Sequence, residues 1–372
     1  MRELLLVEAS TYHGQVLIPL LEQLDRSGDD WTLWLNEEHR DRDTVTARPE
    51  WLSRTVWLPA SRWRGALLMA RRLLSERSRA ALLLSPCRDD TVHFTLLALL
   101  HPNPAFLLHR VMEFPAPRAP QVGPLGAVYL AIFWALWSGK VKALTLAPRL
   151  ARKLTARWSG QVYSLGAGSK ESVSWKSLGR DRLRLFLPGP LFAQGKDLES
   201  LLEAHRLLRE RGVEVTFVVA GGNLPHASTE ESLLSLRGDP MFEWRVAPWL
   251  CYSDFVSLAS GCHGALQLPS RGPKEDELVT SVALLAEGLP RPLVTPLGAG
   301  AALPWLEYGN AAQMADRIES LAHLVQSGGW HELMPSLVEG AERLRAHSAR
   351  VLSGLMGAGP SVGFLDPREA EN

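Results

Sequence analysis

An ammonium group set just ahead of a helix adds to the partial positive charge of the helix N-terminus, and the two together attract a multiply charged anion. Lys196 has that setting, because Leu198–Arg209 has the pattern of a helix and Lys196-Asp197 opens it. Glycines at the carboxyl end of an apolar run let backbone N–H groups approach the same kind of anion. Gly221-Gly222 closes the run Glu214–Ala220, and Gly14 follows Leu4–Val7 after a short loop. Imidazoles bring the complementary chemistry, since a histidine near its natural pKa can take a proton from a hydroxyl. His13 lies in that first loop. His109 stands at the end of the run Ala105–Leu108, with Arg110 and Glu113 beside it as contacts for a second substrate. Any of these residue types is commonly structural, so their meaning depends on the elements that place them.

Those elements alternate. Apolar runs at Leu4–Val7, Trp31–Leu35, Thr55–Leu58, Ala80–Leu84, Ala105–Leu108, Lys140–Leu146 and Val162–Leu165 predict strands. Helical periodicity falls between them at Val16–Leu24, Trp63–Leu74, Val92–Leu100 and Pro148–Leu154. A polar, glycine- and serine-containing stretch follows, with the composition of a linker. The alternation then restarts. Strands are predicted at Leu183–Leu187, Glu214–Ala220, Glu243–Val246, Gly264–Leu268 and Pro292–Thr295. Helices are predicted at Leu198–Arg209, Ser253–Ala259, Leu278–Ala286, Ala311–Gln326 and Ser336–Leu355. Strands that alternate with helices form parallel, doubly wound sheets. The expectation is therefore an α/β chain of two Rossmann-like domains facing a cleft. An acceptor-side domain spans 1–165, a linker 166–182, and an anion-binding domain 183–340; a C-terminal helix and tail, 341–372, pack back on the first domain. Such sheets bind ligands at the carboxyl ends of their strands, where helix N-termini offer free N–H groups.

Composition narrows the function. With 46% hydrophobic and 22% charged residues over 372 residues, the chain can build a real core. Lysine and arginine equal aspartate and glutamate at 40 each, which excludes a uniformly basic nucleic-acid protein. The balance is uneven along the chain: Trp51–Leu165 carries 16 basic against 4 acidic residues, 16 − 4 = +12, leaving −12 elsewhere. A basic first half favours an anionic partner such as a nucleotide, a lipid phosphate or a membrane surface. Arg62, Arg64, Arg71, Arg72, Arg77 and Arg79 line or follow the polar face of the Trp63–Leu74 helix. Three cysteines without a CxxC spacing argue for a reducing compartment and against a thiolate metal site. The charged start Met1-Arg2-Glu3 and the early Glu8 exclude a signal peptide. The apolar stretch Val122–Trp137 has two readings, a buried helix of the first domain or an interfacial segment with Trp134 and Trp137 at a membrane.

The second half resembles a known family. Phe186-Leu-Pro-Gly-Pro-Leu-Phe-Ala-Gln-Gly-Lys196-Asp, followed by Leu201-Leu-Glu-Ala204, is similar to the opening of the donor domain of GT-B glycosyltransferases. Val213–Gly222, Trp249–Phe255, Gly264–Arg271 with Pro269-Ser270, and Ala283–Pro290 ending in Gly288-Leu-Pro resemble the family's following segments in order. Lys142–Lys153 resembles its last acceptor-domain strand and helix. The resemblance is to the retaining, family-four-like group. It implies that a nucleotide-sugar donor binds through Lys196 and the glycine loop Gly221-Gly222, with Gly14 and Glu287 as further donor-side candidates from their positions in the sequence. It also implies that Glu275 and His109 contact the transferred sugar. In inverting relatives a histidine placed like His13 is the base. Charge builds on the departing diphosphate, so a cation aimed at it serves catalysis.

The pattern also departs from the family. Ala283 stands where the family's second glutamate binds the ribose, and Glu287 lies one turn on. Pro190 or Leu191 stands where an arginine usually helps clamp the diphosphate, and the stretch between Ser270 and Glu275 is two residues longer. The implied activity is transfer of a sugar to a glycan or lipid-linked acceptor in envelope or exopolysaccharide synthesis. It needs no cofactor and no metal, since no Asp-x-Asp closes a strand, and no nucleic acid. The implied location is cytoplasmic, with a peripheral place on the inner membrane face open. The competing readings are a catalytically degenerate GT-B partner of an active transferase, and a two-domain nucleotide-sugar epimerase or binding protein.

Overall fold

In the computed structural model, the residues described are 3–9, 14–42, 48–75, 78, 80–84, 91–108, 141–145, 162–164, 178–188, 196–221, 236–246, 252–269, 286, 288–297 and 306–356. The chain divides into two compact units. Unit 1 comprises Met1–Ala167 and Leu344–Asn372, and unit 2 comprises Gly168–Arg343.

The apolar runs of unit 1 become strands β1 (Glu3–Glu8), β2 (Asp30–Asn36), β3 (Thr55–Leu58), β4 (Ala80–Leu83), β5 (Pro104–Leu108), β6 (Lys142–Thr145) and β7 (Val162–Ser164). They pair in the order β3-β2-β1-β4-β5-β6-β7, and every pairing is parallel. Leu4, Leu5, Leu6 and Val7 are all fully buried, as a strand covered on both faces requires. Helices α1 (Gly14–Ser27), α2 (Pro49–Leu52), α3 (Arg62–Leu73) and α4 (Thr91–Leu100) alternate with these strands. Leu5, Val7, Trp34, Leu83 and Phe106 of the sheet pack with Met69 and Leu73 of α3 and Leu97 of α4 in one core.

Unit 2 repeats the plan with β8 (Leu183–Pro188), α5 (Leu198–Glu210), β9 (Val215–Gly221), β10 (Phe242–Val246), α6 (Tyr252–Ser260), β11 (Gly264–Leu266), β12 (Leu293–Pro296), β13 (Leu306–Tyr308), α7 (Ala311–Ser327) and α8 (Trp330–Leu355). Its sheet runs β10-β9-β8-β11-β12-β13, again parallel throughout. In both sheets the strand order reverses beside the first strand, between β1 and β4 and between β8 and β11.

Three elements differ from their sequence signals. β13 is too short to show a period of its own. Three residues suffice because Tyr308 is buried and its hydroxyl donates to the Gln267 carbonyl at 2.6 Å. α8 begins at Trp330 rather than Ser336, with Pro335 inside it. Trp330 anchors that first turn: it is buried, and its indole N–H donates to the His263 carbonyl at 3.0 Å. β11 stops at Leu266, although the Gln267 N–H still reaches the Val294 carbonyl at 2.9 Å. The helices expected at Pro148–Leu154 and Leu278–Ala286 lie outside the described residues, apart from a buried Ala286, as does Val122–Trp137. The unit boundary falls within α8. Its C-terminal part is tied to unit 1, where Gln23 donates to the Arg345 carbonyl (2.9 Å) and Asn103 to the Leu355 carbonyl (2.7 Å).

The amino ends of the unit 2 strands hold a buried polar cluster. Arg291 donates to the carbonyls of Ser260 and Cys262 at and just past the end of α6, where helix carbonyls lack intrahelical partners, and to that of Leu289. Burial lowers its pKa to about 10. The adjacent Cys262 thiol is fully buried, and desolvation pushes its pKa up to about 12 despite the nearby Arg184 and Arg291. The folded chain thus keeps a proton that the unfolded chain releases near pH 8.5. Stability from this thiol is fully present below that pH and is lost as pH rises toward about 12, at up to about 1.4 kcal/mol per pH unit. Urea unfolding at rising pH should show a steeper alkaline loss for the parent than for Cys262→Ala. Equal slopes would remove the thiol as the cause.

Candidate functional site

Ligands of doubly wound sheets sit where the strand order reverses, at the carboxyl ends. In unit 2 that point lies between β8 and β11. Register places Pro188 of β8 beside Ala220 of β9, so Gly221 is on the same carboxyl edge. Gln267, Leu268 and Pro269 leave β11 on that edge.

Lys196 belongs to this place. The N–H of the next residue, Asp197, donates to the Pro269 carbonyl at 2.9 Å, which stitches the approach to α5 onto the exit of β11. Asp197 then caps α5, its carboxylate accepting from the Ser200 N–H at 3.2 Å and the Ser200 hydroxyl at 2.6 Å. The Leu198 N–H donates to the Lys196 carbonyl at 3.1 Å. The peptide unit joining Lys196 to Asp197 is therefore held through both its carbonyl and its N–H, and the half-buried lysine side chain starts one residue before the N-cap of α5, at the strand-order reversal. A cation and a helix N-terminus at that point can hold a diphosphate. The sequence marks Lys196, Asp197 and the Pro269-Ser270 strand end separately but not the bond that joins them, because a backbone bond between two distant loops leaves no local signal.

The charged cluster around Arg184 lies at the other end of the sheet. Arg184 pairs with Glu243 at 2.7 Å, and its backbone N–H donates to His263 Nδ1 at 3.0 Å. Burial lowers the His263 pKa, against the opposing hydrogen bond to the Gly179 carbonyl. These groups sit at the amino ends of β8, β10 and β11, away from the carboxyl edge that holds Lys196.

The corresponding edge of unit 1 begins at Glu8. The sequence signal treats this residue as the end of an apolar run, yet it is the last residue of β1 and is fully buried. The Asn36 side chain, at the end of β2, donates to the Ala9 carbonyl at 2.9 Å and accepts from the Glu38 N–H at 3.0 Å. It thereby fixes the chain as it leaves β1 toward the loop of His13. Asn36 carries no signal beyond that of a turn residue and was not among the candidates. Gly14 is the first residue of α1. Two further histidines of this unit are structural. His101 is buried against the Ser78 hydroxyl at 3.0 Å and accepts from the Asn103 N–H at 3.1 Å, and His93 is buried beside Gly65.

Of the other candidates, His13, His109, Arg110, Glu113, Gly222, Glu275 and Glu287 lie outside the described residues. The described structure thus places Lys196, Gly221 and Gly14 at carboxyl edges, the first two in unit 2 and the third in unit 1.

No model of a known protein family matches the chain, and no curated protein matches it. Solved structures do. A glycosyltransferase from Rickettsia africae is similar with a TM-score of 0.66 and 11% identity, over 96% of this chain and 99% of its own. Sucrose-phosphate synthase from Thermosynechococcus elongatus is similar with a TM-score of 0.61 and 13% identity, over 96% of this chain and 100% of its own. UDP-GlcNAc 2-epimerase from Methanocaldococcus jannaschii reaches a TM-score of 0.52 at 12% identity, over 86% of this chain and 92% of its own. Such identities speak to fold alone. The chain has the two-unit α/β fold of the GT-B glycosyltransferases, which these epimerases share.

Proposed function

We propose that the protein is a glycosyltransferase that takes a sugar from a nucleotide-sugar donor and passes it to a glycan or lipid-linked acceptor in envelope or exopolysaccharide synthesis. The observation that carries this reading is the seat of Lys196: a cation at the head of α5, stitched by Asp197 to the exit of β11, where the strand order reverses. The M. jannaschii epimerase, named for a UDP-sugar, supports the choice of donor class.

In this reading the donor diphosphate lies on unit 2 against Lys196, Gly221 and Gly222. As the sugar–phosphate bond breaks, negative charge gathers on the departing diphosphate. The ammonium and the helix dipole lower the energy of that charge at the moment it forms. Gly14 offers backbone N–H groups to the same ligand. Glu287 takes the ribose hydroxyls, and Glu275 and His109 hold the transferred sugar. His13 is the base toward the acceptor hydroxyl if configuration inverts, and Arg110 and Glu113 bind the acceptor. No metal or cofactor is needed, because the cationic charge comes from the chain. A second reading, a degenerate GT-B partner of an active transferase, rests on Ala283 in place of the family's second glutamate.

Thermal-shift screening against UDP-, GDP-, ADP- and dTDP-sugars tests the proposal. At a hundred times its Kd, a donor that binds only the folded chain adds about 2.7 kcal/mol. That raises the midpoint by several degrees. One base should stand out from the panel. A flat response to all four overturns the donor site. Binding without sugar transfer to any acceptor favours the degenerate copy.

A further inference from the structure

Helix α3 has two apolar faces, and unit 1 uses one of them. Ala66, Met69 and Leu73 follow three- and four-residue spacing and are all buried, Met69 and Leu73 against the sheet and α4. Gly65 permits that approach, since a Cβ there would sit 3.1 Å from the Pro59 carbonyl oxygen and 3.4 Å from His93 Nε2. This face meets what the fold requires of an amphipathic helix. Trp63, Leu67 and Leu74 lie four and seven residues apart on a second face, and they are 72%, 72% and 76% exposed. Single exposed apolar residues are ordinary, but three large ones in a line mark a surface that something covers. Leu99 of the neighbouring α4 is half exposed as well.

The charges beside the stripe say what covers it. Arg62–Leu73 holds four arginines and no acidic residue. Arg64 and Arg71 are exposed and flank the stripe on the side away from the core, and Arg72 is exposed farther round. Glu37 is the acid beside the helix start, and it is engaged in accepting the Ala60 N–H at 2.9 Å. A second copy docking face to face would bring these arginines against their own kind, which disfavours self-association. A surface of lipid phosphates over an acyl layer complements both features at once.

We propose that this face of α3 is a docking surface for an anionic lipid bilayer, with Trp63, Leu67 and Leu74 entering the headgroup–acyl boundary and Arg64 and Arg71 meeting lipid phosphates. The proposed contact is made by the surface of α3, and among the described residues no helix is long and apolar enough to cross a membrane. The inference stands apart from the donor reading and uses none of its residues.

Cosedimentation of the full chain with vesicles tests it. The parent should sediment with equimolar phosphatidylcholine and phosphatidylglycerol, less so as salt rises, and weakly with phosphatidylcholine alone. Arg64→Gln with Arg71→Gln should weaken binding by about fivefold per arginine. Trp63→Ser, Leu67→Ser and Leu74→Ser combined should abolish it at every salt concentration. These positions are exposed, so the variants should keep the parent's unfolding midpoint. Unchanged vesicle binding by the triple variant overturns the proposal. So does a lipid-indifferent parent that is a dimer and becomes a monomer on the same substitutions. A parent that binds vesicles but no nucleotide-sugar sinks the donor site and leaves this surface standing.

Discussion

Lys196→Ala is expected to weaken nucleoside-diphosphate binding about thirty- to a hundredfold, read by titration calorimetry as a loss of about 2–3 kcal/mol. An ammonium about 4 Å from a phosphate charge, at an effective dielectric of about 20, is worth roughly 4 kcal/mol. Desolvating the lysine takes back part of this gain. The fold should hold, because the cap of α5 belongs to Asp197 and the link to Pro269 is made by backbone. Asp197→Ala should behave in the opposite sense. It removes the cap and costs about 1 kcal/mol of stability while leaving the cation in place. Arg206→Ala serves as a control for net charge: Arg206 is exposed along the same helix and engaged by Glu203 and Glu210. If Lys196→Ala and Arg206→Ala change affinity equally, the lysine acts only through bulk charge. If neither changes it, the phosphate seat is elsewhere.

The alternation of strand and helix was legible because each buried strand is a short apolar run and each run ends at a turn residue. Leu183–Pro188 and Val215–Gly221 follow that rule to within a residue of the expected bounds. The start of α7 was legible for a similar reason, since Asn310 accepts the Gln313 N–H at 2.9 Å as an N-cap should. What escaped depends on partners far away in sequence. β13 is held by a tyrosine hydroxyl bonded forty-one residues away, and α8 starts early because Trp330 finds a buried carbonyl sixty-seven residues away. Pro335 argues locally against that start, and tertiary packing outweighs it. The candidate site divides in the same way. Lys196 was readable from its own helix, whereas Asn36 and Pro269, which fix the loops around such sites, act through single long-range bonds. The arginines of α3 were legible as a charged face. The tryptophan and leucines exposed beside them were not, because periodicity alone does not say which of two apolar stripes meets the core.

β11, whose exit seats Lys196 through Pro269, has no room for a side chain at its first position without a shift of its neighbours. Gly264 pairs with Leu185 of β8, and on its other side the Ala265 N–H donates to the Pro292 carbonyl at 2.9 Å. A Cβ on Gly264 would lie 2.9 Å from the Pro292 carbonyl oxygen, 3.2 Å from Leu185 Cδ2 and 3.3 Å from Leu321 Cδ2. The nearest of these is backbone and cannot turn aside, and the other two belong to fully or almost fully buried leucines. One methyl group must therefore push β11 and β12 apart or lift α7 from the sheet. Overpacking of this kind costs roughly 2–3 kcal/mol. Gly264→Ala should lower the unfolding free energy of unit 2 by that amount, read as a lower denaturant midpoint. Gly238→Ala, with nothing within 4 Å of the new Cβ, should leave it unchanged. The displacement has a functional reading too. Three residues beyond Gly264, Gln267 leaves the strand, and Pro269 then receives the Asp197 N–H that seats Lys196. A strand shifted at its amino end moves that seat. Gly264→Ala should therefore weaken nucleoside-diphosphate binding even at temperatures where the variant is fully folded. Full affinity in a destabilised variant would mean that the lysine is held by something other than β11.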